Sequence, residues 1–343
     1  MKLLIITQVV DKKDPVLGFF HNWINELSGH YESISVITLK KGETELPQNV
    51  SIYSLGKENG ESKIKYLINF YKYIWQLKDR YDAVFVHMNQ EYILLAGLIW
   101  LLQSKKVYMW RNHHAGNILT DIAGFFCTNV FCTSKFSYTA KFKKTVLMPI
   151  GIDTKIFKTQ ENSIRKVNSI LYLGRIAPVK RPDLLIRALV ELRDNNFYFI
   201  ASIYGDALPI DADYLSFLKD KVKQKGLEKD LVFYPGIPNA ETVQIYNQHE
   251  IFVNLSSSGM YDKTIFEAMA CGCLVLASNK NLYGLVPEKY IFNEGDLLDL
   301  KNKLVTISKI SSEEREKDKK IFRELAEKNS LDKLAKKISE IVK

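Results

Sequence analysis

Two cations and one carboxylate stand out by where they sit. Arg175 and Lys180 lie in Gly174-Arg-Ile-Ala-Pro-Val-Lys180-Arg-Pro182-Asp183. This segment follows an apolar, strand-like run and precedes a helix whose first turn can hold Pro182 and Asp183. Paired cations at the carboxyl end of a strand suit phosphate, and each charge-assisted bond to one contributes about 1.5–3 kcal/mol. They can equally be solvated loop charges. Glu267 lies inside a short apolar helix that runs through Ala270 and breaks at Gly272, where an unpaired charge is costly. A polar loop, Leu255-Ser-Ser-Ser-Gly259, opens that helix. The first N–H groups of a helix have no internal partner and attract anions. Phosphate at the helix start, with an acid one or two turns on, suggests a nucleotide. Glu267 then takes the ribose hydroxyls, and N–H groups near Thr264 take phosphate.

Apolar runs of strand length must frame these residues, and they alternate with amphipathic helical stretches, the pattern of a parallel α/β sheet. In the first half the strands are expected at 2–7, 33–39, 83–87, 106–110, 129–132 and 146–149. The pattern then restarts at 169–173, 198–204, 231–234, 251–254 and 274–277, with a polar seam near 152–166. Residues 1–158 are therefore expected to form one doubly wound domain and 159–320 a second. The tail from about 313 is charged and helical, and its last part, 321–343, is expected to pack back on the first domain. Two such domains facing each other place a ligand cleft between the carboxyl ends of both sheets.

At 343 residues the chain exceeds one typical core. A composition 46% hydrophobic and 25% charged is that of a soluble globular protein. The longest apolar stretch, 92–103, is too short to span a bilayer and reads as a buried helix. The apolar start, residues 2–7, lacks a cleavage site and reads as a first strand. Four cysteines, at spacings unlike a zinc site, favour a reducing cytoplasm. The formal charge of +9 is uneven: residues 1–150 hold 18 Lys and Arg against 12 Asp and Glu. Such an excess implies an acidic partner. Helix 63–81, aromatic and basic, reads either as a core helix with a basic outer face or as a surface leaning on anionic lipid. No Gly-x-Gly-x-x-Gly follows a strand, which argues against a nicotinamide dehydrogenase. No aromatic–basic groove marks a nucleic-acid binder.

The second half resembles the retaining glycosyltransferases of family 4, which have the GT-B fold of two Rossmann-like domains. Gly174-Arg-x4-Lys180 is similar to that family's pyrophosphate pair. Glu267-Ala-Met-Ala-x-Gly-x-x-Val is similar to the second half of its Glu–seven residues–Glu motif. Gly205-Asp206, Phe233-Tyr-Pro-Gly-Ile-Pro, Phe252-Val-Asn-Leu-Ser and the junction-like Pro149-Ile-Gly-Ile-Asp follow the same template. One departure is plain: the family's first Glu, which contacts the donor sugar, falls on Gly259. Backbone groups of Met260 and Tyr261 can serve instead. Asp262 and Lys263, charged where the family is usually apolar or Gly, either contact sugar or phosphate or are solvated.

In the first half the resemblance implies a glycine-containing loop near the donor phosphate, here at Gly18. It also implies a His after a strand that contacts the sugar 6-hydroxyl. His113 is preferred to His114, because neighbours on a strand end point to opposite faces; His87 is expected to be structural or on the acceptor side rather than catalytic. Asp211-Ala-Asp213 looks like a metal motif but reads as a solvated loop. The resulting expectation is a cytoplasmic, metal-independent enzyme without a cofactor, peripheral on the inner face of the membrane. It takes a UDP-sugar or GDP-sugar as substrate and a glycan or lipid-linked acceptor in surface polysaccharide synthesis, with anionic membrane and not nucleic acid as a further partner. A non-catalytic nucleotide-sugar or glycan-binding protein on the same fold is the alternative.

Overall fold

The computed structural model describes residues 1–14, 16–161, 163–256 and 259–343. The chain divides into two compact units, Met1–Gly151 with Leu331–Lys343, and Ile152–Ser330. The boundaries thus fall at 151/152 and 330/331 rather than at 158/159 and 320/321.

The first unit contains β1 (Lys2–Val10), α1 (Gly18–Ser28), β2 (Ser33–Lys41), β3 (Val50–Ser54), α2 (Lys63–Gln76) and β4 (Ala83–His87). It continues with α3 (Gln90–Leu102), β5 (Lys106–Trp110), α4 (Ile118–Phe126), β6 (Asn129–Cys132) and β7 (Thr145–Leu147). Among the described residues these strands form one sheet in the order β3-β2-β1-β4-β5-β6-β7. All pairs are parallel, with Leu4 of β1 opposite both Ser35 of β2 and Val84 of β4. The order reverses at β1. Right-handed crossovers then put α1 on one face of the sheet and α2, α3 and α4 on the other. Strands covered on both faces read as continuous apolar runs, as Leu3–Ile6 does.

The second unit contains β8 (Ser169–Leu173), α5 (Pro182–Asp194), β9 (Ile200–Tyr204), α6 (Ala212–Gln224), β10 (Leu231–Tyr234), α7 (Thr242–Gln248) and β11 (Ile251–Asn254). After these come α8 (Lys263–Ala270), β12 (Leu274–Ala277), α9 (Leu297–Ser308) and α10 (Ser312–Lys328). The sheet is parallel in the order β10-β9-β8-β11-β12, so its reversal lies between β8 and β11. The polar seam belongs to this unit. Arg165 donates to the carbonyls of His249 and Gly272, both at 2.9 Å, and to that of Cys271. It sets a cation at the negative end of α8. Asp211 and Asp213 lie at the start of α6.

The charged tail is two helices, not one. α10 stays with the second unit: Arg315 pairs with Glu250, and Asp318 accepts from the Tyr290 hydroxyl at 2.8 Å. α11 (Leu331–Ile341) joins the first unit, where Leu334, Ala335 and Ile338 pack with Phe20, Trp23 and Ile24 of α1. The opposite face of that sheet is covered by Phe70 and Ile74 of α2, Ile93 and Trp100 of α3, and Ala123 of α4.

Candidate functional site

In a doubly wound sheet the loops leaving two strands diverge where the order reverses, and the crevice between them binds ligands. In the second unit that point lies between β8 and β11, and it joins residues far apart in sequence. Lys180 closes a short turn, Pro178–Lys180, after β8. Its Nζ donates to Asp262 Oδ2 at 2.8 Å and to Ser256 Oγ at 2.9 Å, both beyond β11. Ser256 Oγ in turn donates to Asp262 Oδ2 at 3.1 Å, and Asn254 Nδ2 does so at 3.3 Å. Burial pushes the Asp262 carboxyl up, but the Lys180 charge and these hydrogen bonds outweigh it and hold the group below its usual value of 3.8. Arg175 is exposed, and its guanidinium makes no hydrogen bond or ion pair among the described residues. One expected cation is therefore tethered and the other is open to a ligand. Ser257 and Ser258 of the expected phosphate loop lie outside the described residues.

Glu267 is 4% exposed on the inner side of α8. It is not an unpaired charge: Oε1 accepts from Asn239 Nδ2 and Oε2 from the Tyr246 hydroxyl, each at 3.1 Å. Burial raises its pKa, against the pull of Asn239, of Lys263 one turn earlier, and of Tyr246. Burial pushes Lys263 the other way, down to about 7. Thr264 Oγ1 lies 3.5 Å from Asn254 Nδ2, which ties the helix start to the end of β11.

Gly259 has φ +137°, a backbone conformation that residues with a side chain rarely adopt. The acid that the resemblance expects at this position would be strained on this backbone. Met260 and Tyr261 rest on the residues after β12. Asn279, fully buried, donates to Met260 O at 2.6 Å, and the Tyr261 hydroxyl donates to Asn281 O at 3.0 Å. Burial pushes the Tyr261 phenol up to about 12. Asn279, Asn281, Asn239 and Tyr246 were not expected. The first two carried a faint signal, since polar residues end an otherwise apolar strand segment. The last two carried none, being 28 and 21 residues from Glu267.

Gly174 and Gly205 meet backbone to backbone. Gly174 N donates to Tyr204 O at 3.0 Å, and a Cβ on Gly205 would lie 2.0 Å from Gly174 O. Asp206 extends the contact, accepting from Ile176 N at 2.9 Å through its carbonyl and from Gly236 N at 3.1 Å through Oδ1. The carboxyl ends of β8, β9 and β10 are thereby locked together beside the loop that carries Arg175.

The remaining two expected residues belong to the first unit. Gly18 is the first residue of α1, and its N–H donates to Asp14 O at 3.0 Å. The Asp14 carboxylate accepts from Val16 N at 3.0 Å and Leu17 N at 2.8 Å, so an acid already occupies the loop's amides. His113 is exposed in the irregular stretch after β5, with Nδ1 3.0 Å from Ala115 N. The argument that His113 and His114 point to opposite faces fails, because β5 ends at Trp110. Outside a strand no alternation is imposed, and the two rings stack at 4.6 Å and 22°. His87, expected to be structural or on the acceptor side, is buried and stacks on Phe20 at 3.9 Å, with Nδ1 3.2 Å from Thr7 Oγ1.

Residues 153–292 match the family model described as Glycosyl transferases group 1, a stretch wholly inside the second unit. D-inositol 3-phosphate glycosyltransferase of Mycobacteroides abscessus is 29% identical over 136 residues, covering 37% of this chain and 30% of that protein. The Nocardia farcinica protein of the same name is 30% identical over 112 residues, covering 32% and 25%. The chain thus matches less than a third of these relatives' length. Among solved structures, Anabaena HepE in complex with UDP and glucose superposes with a TM-score of 0.77 at 18% identity, covering 100% of this chain and 99% of that one. Sucrose-phosphate synthase from Thermosynechococcus elongatus gives 0.75 at 15% identity, covering 99% and 98%. These likenesses concern the fold. They show that the chain has the GT-B fold, and that residues 153–292 of it are similar to the group 1 glycosyltransferases.

Proposed function

We propose that the protein is a retaining, metal-independent glycosyltransferase that moves a sugar from a nucleoside diphosphate to a glycan or lipid-linked acceptor at the cytoplasmic face of a membrane. The observation that carries the reading is the two cations of the loop after β8, at the β8–β11 reversal: Lys180 aimed by Asp262 and Ser256, and Arg175 exposed and unpaired among the described residues. UDP is the favoured base carrier, since the HepE structure holds UDP. In the proposed step the bond between the anomeric carbon and the diphosphate oxygen breaks. The acceptor hydroxyl attacks from the same side, and its proton passes to the departing phosphate oxygen. Arg175 and Lys180 neutralise charge that grows on that phosphate, while Glu267 holds the ribose.

A panel of UDP-sugars and GDP-sugars tests this by thermal shift, followed by nucleoside diphosphate release with an acceptor extract. Arg175→Ala and Lys180→Ala are each expected to slow release by about 10²–10³-fold, the cost of one lost preorganised contact at roughly 2.7–4 kcal/mol. The glycine at 259 favours a second reading, a donor-binding protein without turnover. A donor that raises the melting temperature but is never cleaved selects that reading. Unchanged release in both variants removes the cations from the reaction.

A further inference from the structure

The helices α2, α3 and α4 share one side of the first unit's sheet, and they touch. The Tyr71 hydroxyl donates to Leu95 O at 3.0 Å, and the Phe126 ring fills the place a side chain on Gly97 would take. Their inner sides are core, yet their outer sides are apolar too. On α2, Ile64 (73% exposed), Ile68, Tyr71 and Trp75 (65%) recur along one stripe. On α3, Leu95, Leu98 and Leu102 (78%) do the same, and on α4, Ile118 (72%), Ile122 and Phe125 (75%). Single exposed apolar residues are ordinary, but three adjoining stripes mark an interaction surface. The sequence reads α3 as a buried helix because it is apolar nearly all round, and a helix of that kind is covered on every side. Here the sheet covers one side only.

Charge selects what covers the other. Residues 57–144, which carry the three helices, hold 13 Lys and Arg against 6 Asp and Glu. Residues 1–56 hold 5 against 6, so the positive excess of residues 1–150 lies entirely within the segment that carries these helices. On α2, Lys65 and Lys72 flank the stripe on one side and Lys63 on the other, each roughly a quarter-turn away. All three are exposed, and among the described residues none is in an ion pair. The core of a protein–protein interface is depleted of lysine. Cations beside an aromatic and aliphatic stripe instead match lipid phosphates above an acyl boundary. α3 is 13 residues long, and no helix among the described residues is long and apolar enough to cross a membrane.

We propose that the outer face of α2, α3 and α4 docks the protein on an anionic phospholipid bilayer, lying on it rather than spanning it. This does not depend on the sugar-transfer reading. Trp75 is the natural probe, because Trp23, Trp100 and Trp110 are buried. The full chain is mixed with phosphatidylglycerol–phosphatidylcholine vesicles, with phosphatidylcholine vesicles as control, at low and high salt. Expected are co-sedimentation and a blue shift of tryptophan emission with the anionic vesicles, both weakened by salt. The double variant Leu102→Ser, Phe125→Ser is expected to bind at least about tenfold more weakly, with its melting temperature and vesicle-free nucleotide release near wild type. Absence of binding to anionic vesicles overturns the proposal, as does a double variant that binds like wild type. A wild-type dimer that the double variant converts to monomer, with no vesicle binding, assigns the face to a second copy and also overturns it.

Discussion

Asp262 decides how the candidate site behaves before a donor arrives. Its carboxylate stands at the N-cap of α8 yet makes no capping bond to that helix; it takes Lys180, Ser256 and Asn254 instead. Lys180 and Asp262 are 82 residues apart, so no spacing could show the pair. The sequence left Asp262 between ligand contact and solvation, and it is neither: it aims the cation. Such an acid also competes with an incoming diphosphate for that cation. Asp262→Asn removes the competing charge and keeps one oxygen. UDP alone is expected to bind about tenfold tighter, equivalent to about 1.4 kcal/mol, while kcat falls because Lys180 loses its aim. Product-inhibition constants and kcat measured together check this. Weaker UDP binding with unchanged kcat would falsify it. Both side chains keep partial exposure, so the stability cost is small, about 1 kcal/mol or less.

The elements were legible where one signal sufficed. Ala83–His87, Lys106–Trp110 and Leu274–Ala277 each hold four consecutive apolar residues and form strands over the expected residues. Val50–Ser54 was missed because it is a half-exposed edge strand that alternates polar and apolar residues. α2 stops at Gln76 rather than 81, because Leu77 turns in as the helix cap. The cations and Glu267 were legible because each stands at an element junction or against an apolar background. Their partners were not, because they arrive from other elements. His249, between α7 and β11, is such a residue. Its Nδ1 donates to Ile245 O at 2.8 Å, and its Nε2 accepts from Ser202 Oγ at 2.9 Å. Burial, with Lys166 and Arg165 adding to it, lowers its pKa below 6.5 despite the Ile245 carbonyl. Below pH 6.5 the unfolded chain therefore takes up a proton that the folded unit refuses, and stability declines as pH falls through that window. His249→Gln is expected to flatten this decline, whose slope for one proton is at most about 1.4 kcal/mol per pH unit. Urea midpoints at pH 7.5 and 5 for both proteins measure it; parallel declines would assign the acid sensitivity elsewhere.

Across the whole molecule, the last thirteen residues complete the core of the first unit. Leu334 is fully buried against α1, Tyr108 of β5 donates to Ile341 O at 3.2 Å, and Lys337 donates to Leu147 O at 2.7 Å. The first unit therefore cannot close its core without residues 331–343, which follow the whole of the second unit. The helix just before, α10, serves the other unit. This division gives the two units separate optical signatures, because all four tryptophans, residues 23, 75, 100 and 110, lie in the first unit. Tryptophan emission thus follows the first unit alone, while far-ultraviolet dichroism follows both. Leu334→Ala removes buried methyl groups from a packed site and is expected to cost the first unit about 2–5 kcal/mol. The tryptophan midpoint in urea should move down by that amount, and the remaining dichroism transition should stay in place. Tyr290→Phe, which cuts the hydroxyl bond to Asp318 within the second unit, should do the reverse and leave the tryptophan midpoint unmoved. If Leu334→Ala shifts both transitions equally, the units unfold as one, and α11 supports the whole molecule rather than its first unit.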